Sequence, residues 1–472
     1  MSGLGDPQVA EQVMAYITGA RWFAGKGRLG SLVSLTPLPW LSEVTEFYSP
    51  SGPPAVRLVI AEVAYAVLEE EEGTKTDAQA REMYQLAVSY RQAPHPDLHY
   101  AEIARVDDPD LGPAVAYDAA RDPEACRVLL KALIAQRRLS DRDASVRFRT
   151  TDAPGLTADL EPRVFTGQQS NTSVMLGDVA LIKLFRRLEL GRNLDIEIHE
   201  ALNKAGNADV ASLFGWAEGS WTIDGQTYDA DLAMVVEQLK DAVDGWDLAL
   251  DSLGPAGSSF AADAEALGVA LAETHHALRQ SFPTAEVSGA GIAQGMKQRL
   301  AQAAAAAPVL LGHTEGLARR FDELSAATLP TQRVHGDFHL GQTLHTPDGW
   351  KIIDFEGEPA KSMAERLAPD SGWRDVAGML RSFDYAAASV PGPDSATWLA
   401  ECRRAFLHGY AGGDLSETDS AIVRAYEADK AVYEVVYEVR NRPDWIGIPL
   451  GAVATLAQSD TSASPDLSSS KL

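Results

Sequence analysis

Two carboxylates and an amide flank a short apolar run in RVHGDFHLGQTLHTPDGWKIIDFEGEP, residues 333–359: Asp337, then Gln342 five positions on, then Asp354 after WKII. Amide and carboxylate oxygens are hard ligands suited to Mg²⁺, and a separate carboxylate can orient a hydroxyl and take its proton. Moving phosphate from ATP to a hydroxyl asks a protein for little more than these groups and a lysine on the nucleotide phosphates. The spacing therefore points to phosphoryl transfer, with Asp337 as the catalytic carboxylate and Gln342 and Asp354 as the metal ligands. HGD alone would also fit a β-turn in which Asp337 caps a helix; the three residues together carry the reading. His335 is placed on the substrate side, although it and His339 also fit core histidines bonded to backbone. A zinc site of His335, Asp337 and His339 lacks a completing His or Glu at helical spacing.

In protein kinases the catalytic-loop Asp is followed five residues later by a metal-binding Asn, and a further Asp heads a D-F-G on the next strand. Asp337, Gln342 and the IIDFEG run keep that register, with Gln one methylene longer than Asn and Glu356 an additional carboxylate. The phosphate lysine is sought upstream: VALIKLFRR sets Lys183 in an alternating strand, and Glu197, 14 residues later in NLDIEIHEAL, lies on a predicted helix at an interval suited to an ion pair. Asp195 and Glu200 are near neighbours on that helix. The polar hairpin FTGQQSNTSVML has one glycine, Gly167, so a cradle over the phosphates would rely on hydroxyls such as Ser170 and Thr172 and on backbone N–H groups. In VVEQLKDAVDGWDLAL, Glu237 and Leu239 mark the hinge whose backbone would read adenine.

These residues need elements to hold them. Residues 1–100 pair a helical pattern (Val9, Val13, Met14, Ile17) with alternating stretches such as SLVSLTPLPWL and AVRLVIAEVAY, read as an antiparallel sheet. DPEACRVLLKALIAQRRLS reads as helix, followed by short strands and the Lys183 region, and from about 245 onward apolar residues recur at helical spacing. The order points to an α+β, two-lobe chain, sheet-rich over residues 1–100 and 101–238 (N-lobe) and helical over 239–458 (C-lobe), with a cleft between the lobes; that the bilobal fold is protein-kinase-like and that residues 1–100 form a cap subdomain is what the resemblance described below implies. The Ser-rich end, 459–472, is expected to be disordered.

Composition limits the partners. The chain has 472 residues and a formal net charge of −26, which disfavours nucleic acid and anionic membrane surfaces. Only Cys126 and Cys402 occur, too far apart for a C-x-x-C metal motif, and no disulfide framework is expected. Neither a secretory leader nor a run of about 18 apolar residues is visible, so a cytoplasmic location is expected.

RWFAGKGR, RVHGDFHLGQ, IIDFEGEPA, RDVAGMLRSFDYAA and KAVYEVVYEVRNRPDWIGIPL together resemble the actinobacterial maltokinases, relatives of the aminoglycoside phosphotransferases. The resemblance runs from about residue 20 to 455. It implies ATP- and Mg²⁺-dependent phosphorylation of maltose at its anomeric hydroxyl, giving maltose 1-phosphate for glycogen or α-glucan synthesis, often beside trehalose synthase. It assigns Asp337 as catalytic, Gln342 and Asp354 to magnesium, and Lys183 with Glu197 to the nucleotide. Sugar contacts are sought in YEVVYEVRNRPDW, where Glu438 and Asn441 are the candidates and Tyr433, Tyr437 and Trp445 offer stacking faces; the same pattern also fits core aromatics and internal ion pairs. A glucosamine or aminoglycoside kinase is the competing enzymatic reading, and a pseudokinase docking subunit the competing reading of another class, disfavoured by Lys183, Asp337 and Asp354 together.

Overall fold

The computed structural model describes residues 6–48, 52–65, 80–165, 171–254, 259–358 and 361–458. The chain divides into two compact units, one made of Met1–His199 and Ala211–Leu239, the other of Glu200–Val210 and Lys240–Leu472. The 459–472 tail, Gly167 and Ser170 lie outside the described residues.

The first unit contains two antiparallel sheets. In the first, the strands run in the order Gly30–Pro37, Ala55–Tyr65, Ala80–Arg91, Gly112–Asp118 and Glu102–Asp108, with Arg187–Leu188 also pairing Ala80–Arg91. This sheet passes residue 100 and takes in the two strands Glu102–Asp108 and Gly112–Asp118 beyond it. Ala55–Tyr65 is buried along its whole length rather than on alternate residues. Val59, Ala61 and Val63 join a core with Val9, Val13 and Ile17 of helix Pro7–Gly19, while Val56, Leu58 and Ile60 join another with Leu129, Leu130 and Leu133 of helix Pro123–Ile134. A strand covered on both faces has no solvent side to keep polar. The second sheet has the order Arg138–Ser140, Ala144–Thr150, Leu213–Ile223, Gln226–Glu237, Ala180–Leu184, Thr172–Leu176 and Pro162–Val164. Helix Pro123–Ile134 starts at Asp122, whose carboxylate accepts from the Glu124 and Ala125 N–H groups, and is followed by Gln136 with φ of 45°. That left-handed residue ends the helix, and QRRLS becomes strand.

The second unit is mainly helical. Helices Gly289–Ala306, Thr314–Asp322, Trp373–Ser389, Glu417–Asn441 and Gly447–Leu456 share an apolar core through residues such as Leu300, Phe321, Ala377, Val432 and Val453. Val243–Asp244, Thr343–Thr346 and Gly349–Ile352 form a small sheet. Gly378 lets helix Trp373–Ser389 close on the loop that carries Asp337: a Cβ there would stand 2.5 Å from the Phe338 carbonyl oxygen. Among the described residues no helix is long and apolar enough to cross a membrane.

Candidate active site

The loop that carries Asp337 is shaped by a residue 38 positions further along the chain. Asp375, buried on helix Trp373–Ser389, accepts the His335 N–H on Oδ2 and the Gly336 N–H on Oδ1, each at 2.8 Å. His275 Nε2 contacts the same carboxylate at 2.9 Å and its Nδ1 meets the Tyr410 hydroxyl at 2.9 Å. Burial works to raise the Asp375 pKa, but the hydrogen bond and charge of His275, His335 and the Gly336 N–H hold it below the ordinary value. Gly336, at φ of +86°, makes the sharp turn that turns both N–H groups toward one carboxylate.

His335 is a correction to the expectation of a substrate contact. It is 2% exposed; Nε2 donates to the Ile353 carbonyl at 2.9 Å, Nδ1 accepts the Asp337 N–H at 3.3 Å, and the ring lies 4.8 Å from that of Phe355. It ties the loop to the strand before Asp354 and leaves the Asp337 side chain facing outward. Asp337 Oδ1 lies 3.5 Å from Lys430 Nζ. Burial works to raise the Asp337 pKa, but Lys430, with His339 and His335, holds it below the ordinary value, so the carboxylate is ionised and able to accept a proton. Burial in turn keeps the neighbouring His339 below the ordinary imidazole value.

Gln342 and Asp354 come together as expected from their spacing. The Gln342 amide reaches 3.5 Å from Asp354 Oδ2, and its backbone carbonyl accepts the Ile353 N–H at 3.0 Å. Asp354 has φ of 65°, a left-handed conformation that costs a non-glycine residue about 1 kcal/mol or more and persists where the surroundings enforce it. Turned over, the Gln342 amide would present an oxygen beside a carboxylate, a donor pair that fits a hard divalent cation.

Asp337 opens on a cavity of about 760 Å³. One face of helix Glu417–Asn441 supplies Lys430, Glu434 and Glu438, and Arg442 follows at the same four-residue interval, so two carboxylates stand between two cations along one wall. Glu438, 1% exposed, accepts from the Tyr385 hydroxyl at 2.9 Å and from Arg442 Nε at 2.9 Å and Nη2 at 2.6 Å. Glu434 accepts from Arg381 Nε at 2.8 Å. Trp445 stacks on Tyr385 with centroids 6.3 Å apart, and Tyr433 on Tyr437 at 6.5 Å, giving the cavity two aromatic platforms. Asn441 is the second correction: it is exposed, its amide donates to the Tyr437 carbonyl at 2.9 Å, and it does not line the cavity.

In the first unit, Lys183 lies mid-strand, paired in register with Met234 and Ser173. Its Nζ is 3.0 Å from Asp195 Oδ2, and His199 Nδ1 lies 3.2 Å from Asp195 Oδ1. Burial works to raise the Asp195 pKa; Lys183 and His199 overcome it and leave the group well below the carboxylate range. Glu197, the partner expected from the sequence, lies two residues further along the same helix. Asn193 Oδ1 accepts the Asp195 N–H at 2.9 Å, which sets the helix start, and Glu197 then falls about 200° further round the axis. Thr172 is buried, and its hydroxyl accepts from Arg186 Nε at 2.8 Å rather than standing open on the surface. The Glu237 N–H donates to the Ser212 carbonyl at 2.8 Å and the Gln238 N–H to Val179 at 2.9 Å, so the strand keeps its ladder up to the segment that contains Leu239.

Asp195, His275, Asp375, Lys430 and Tyr385 were not singled out as site residues from the sequence. Lys430 had a legible signal, the Lys-Glu-Glu-Arg series at four-residue steps. Asp375 and His275 had none, because their partners are backbone groups and residues remote in the chain.

Comparison with known proteins bears on the same elements. Residues 16–122 match the maltokinase N-terminal cap domain, and residues 236–419 match the phosphotransferase enzyme family. A glucosamine kinase of Streptacidiphilus jiangxiensis is 30% identical over 355 residues, covering 68% of this chain and 78% of its own. The chain belongs to the phosphotransferase enzyme family. This kinase carries a maltokinase-type cap ahead of its phosphotransferase region, on a protein-kinase-like fold. A glucosamine kinase of Mycolicibacterium smegmatis is 29% identical over 330 residues, 64% of this chain and 80% of the relative. In fold, the kinase matches a glucosamine kinase solved with glucosamine, ADP and inorganic phosphate at a TM-score of 0.61, with 21% identity, over 95% of this chain and 99% of that one.

Proposed function

We propose that this phosphotransferase transfers the γ-phosphoryl group of ATP to a hydroxyl of a sugar held in the cavity beside Asp337. The observation that carries the reading is the position of Asp337: an ionised carboxylate, fixed by a loop that Asp375 clamps, at the edge of a cavity walled by aromatic rings and hydrogen-bonding side chains. Asp337 orients the acceptor hydroxyl and takes its proton as the bond to phosphorus forms. Lys183, steadied by Asp195, serves the nucleotide phosphates; the Glu237 carbonyl and Leu239 N–H serve the adenine edge. Asp354 and Gln342 would hold Mg²⁺, which supplies charge neutralisation at the phosphates when bound.

Maltose, phosphorylated at its anomeric hydroxyl, is the acceptor we favour. The carboxylates on the cavity wall already face cations, Glu438 with Arg442, Glu434 with Arg381 and Asp337 with Lys430, which suits a neutral polyol. Two separate aromatic platforms suit two pyranose rings. Maltose 1-phosphate would then feed α-glucan synthesis, with trehalose synthase as a source of maltose. Glucosamine is the second reading, favoured by the names of the relatives. The cap does not discriminate between the two, since the glucosamine kinase fold covers 95% of this chain and so has a counterpart to it. Steady-state kinetics with MgATP decide: the proposal expects kcat/KM for maltose at least tenfold above that for glucosamine, and the reverse order would transfer the assignment to the amino sugar.

A further inference from the structure

RWFAGKGR, residues 21–28, has no role in the assignments above. Its first residue, Arg21, follows helix Pro7–Gly19 and lines a cavity of about 600 Å³ within the first unit. Arg121, at the end of the turn Ala119–Arg121, lines the same cavity, as do Thr172 and Ser173 of strand Thr172–Leu176. Lys183 and Asp195 do not, so this space is separate from the lysine given above to the nucleotide.

Charge decides what the cavity can hold. Asp118 is the one carboxylate on its walls among the described residues, and its partners are already in place. Arg186 Nη2 donates to Oδ1 at 2.9 Å and to Oδ2 at 2.6 Å, and the Tyr16 hydroxyl donates to Oδ2 at 2.6 Å. Asp118 and Arg186 are both buried, a closed pair with no net charge. Arg21 and Arg121 are different. Neither makes a hydrogen bond or ion pair among the described residues, and with Arg21 exposed and Arg121 half-buried both remain open to a molecule entering from solvent. The Arg121 charge is felt at the cavity wall: burial raises the Tyr16 pKa and Asp118 raises it further, while Arg186 and Arg121 pull it down. The carbonyl end of helix Pro7–Gly19 borders the cavity at Gly19 and contributes about half a negative charge, against two full positive ones. In a chain of net charge −26, two arginines left without carboxylates around one cavity favour an anion.

The walls also say which anion. The planar guanidinium fork matches phosphate oxygens in pairs, which a carboxylate-free arginine is free to do. Trp22, half-buried, and Tyr100, 62% exposed, add two aromatic rings to the same walls, and such rings pack against a sugar or a base. The volume is within the range of about 300–1,000 Å³ usual for small-molecule sites. We propose that this cavity is a second ligand site, binding a phosphate monoester on Arg21 and Arg121 with the ring of the ester against Trp22 and Tyr100. A sugar phosphate and a nucleoside monophosphate share that chemistry. Ser173 is paired in register with Lys183, so the occupant sits against the strand next to the nucleotide lysine. The site does not depend on the sugar-kinase reading.

The test is calorimetric titration of the full chain at low ionic strength with three probes: glucose 1-phosphate, AMP and inorganic phosphate. Wild type should bind at least one of the two esters more tightly than inorganic phosphate, and the one it prefers identifies the source of the ester. Arg21→Gln and Arg121→Gln should each weaken that binding at least tenfold. Arg21 is exposed and gives up no internal partner among the described residues, so its variant tests the site even where Arg121→Gln does not fold. Wild type that binds neither ester, or binds both no more tightly than inorganic phosphate, would overturn the proposal. So would ester affinity unchanged in the folded arginine variants, which would assign the binding to the acceptor or nucleotide position and leave the sugar-kinase reading intact.

Discussion

Lys430 Nζ lies 3.5 Å from Oδ1 of Asp337, the carboxylate proposed as the base, and is the principal influence that opposes the effect of burial there. Lys430→Met leaves burial to act with weaker opposition, so the Asp337 pKa rises. A protonated Asp337 cannot take the hydroxyl proton, and the acid limb of the kcat profile therefore moves to higher pH; an unmoved limb in a pH–rate series would show that Lys430 does not tune the base. At this scale the sequence was informative where function is written in spacing. Gln342 and Asp354 lie together because the one short hairpin between them leaves few alternatives. Asn441 went astray for a geometric reason: one or two residues along a helix turn a side chain by about 100–200°, and the helix end near Arg442 decides which residue faces the cavity. His335 was misplaced because a histidine in an HGD loop can serve the backbone as well as a ligand, and both its ring nitrogens are used locally.

The element that matters most is helix Trp373–Ser389, which presents Asp375 to the loop and admits it closely at Gly378. Asp375→Asn retains one oxygen for two N–H donors, turns an NH₂ toward the second, and loses the charged partner of His275; we expect a loss of about 2–4 kcal/mol in chemical denaturation. The sign with pH follows from a depressed carboxyl. The contribution of Asp375 is fully present above its unfolded pKa and is lost as pH falls through its lower folded value. The gap between wild type and variant should therefore be the same at pH 7 and pH 5 and close only in stronger acid; a variant as stable as wild type at pH 7 would contradict the clamp. The helices and strands themselves were largely legible from periodicity. What was not legible was a strand buried on both faces, Ala55–Tyr65, whose two apolar rows pack into different cores, and a helix end at Gln136 that no glycine or proline announces.

For the whole molecule, the strands-then-helices order along the chain pointed to two lobes, the resemblance of its motifs pointed to a protein-kinase-like fold, and the family match agrees. The extent of the first sheet was harder to read. It takes strands Glu102–Asp108 and Gly112–Asp118 and also the distant Arg187–Leu188, and long-range pairing of that kind leaves no local mark in sequence. A net charge of −26 would repel ATP from the surface as a whole, so the proposed use of ATP calls for local cations, the part given above to Lys183. The central claim is that this chain moves phosphate from ATP to a sugar with Asp337 as base, and ³¹P NMR of the reaction mixture tests it most directly. With MgATP and maltose, wild-type protein should yield ADP and a sugar phosphate whose proton coupling places it on the anomeric carbon. Asp337→Asn should lower that rate by about 10²–10⁴-fold with ATP affinity unchanged. ATP consumption that is independent of any sugar, or near-normal turnover by Asp337→Asn, would contradict the account.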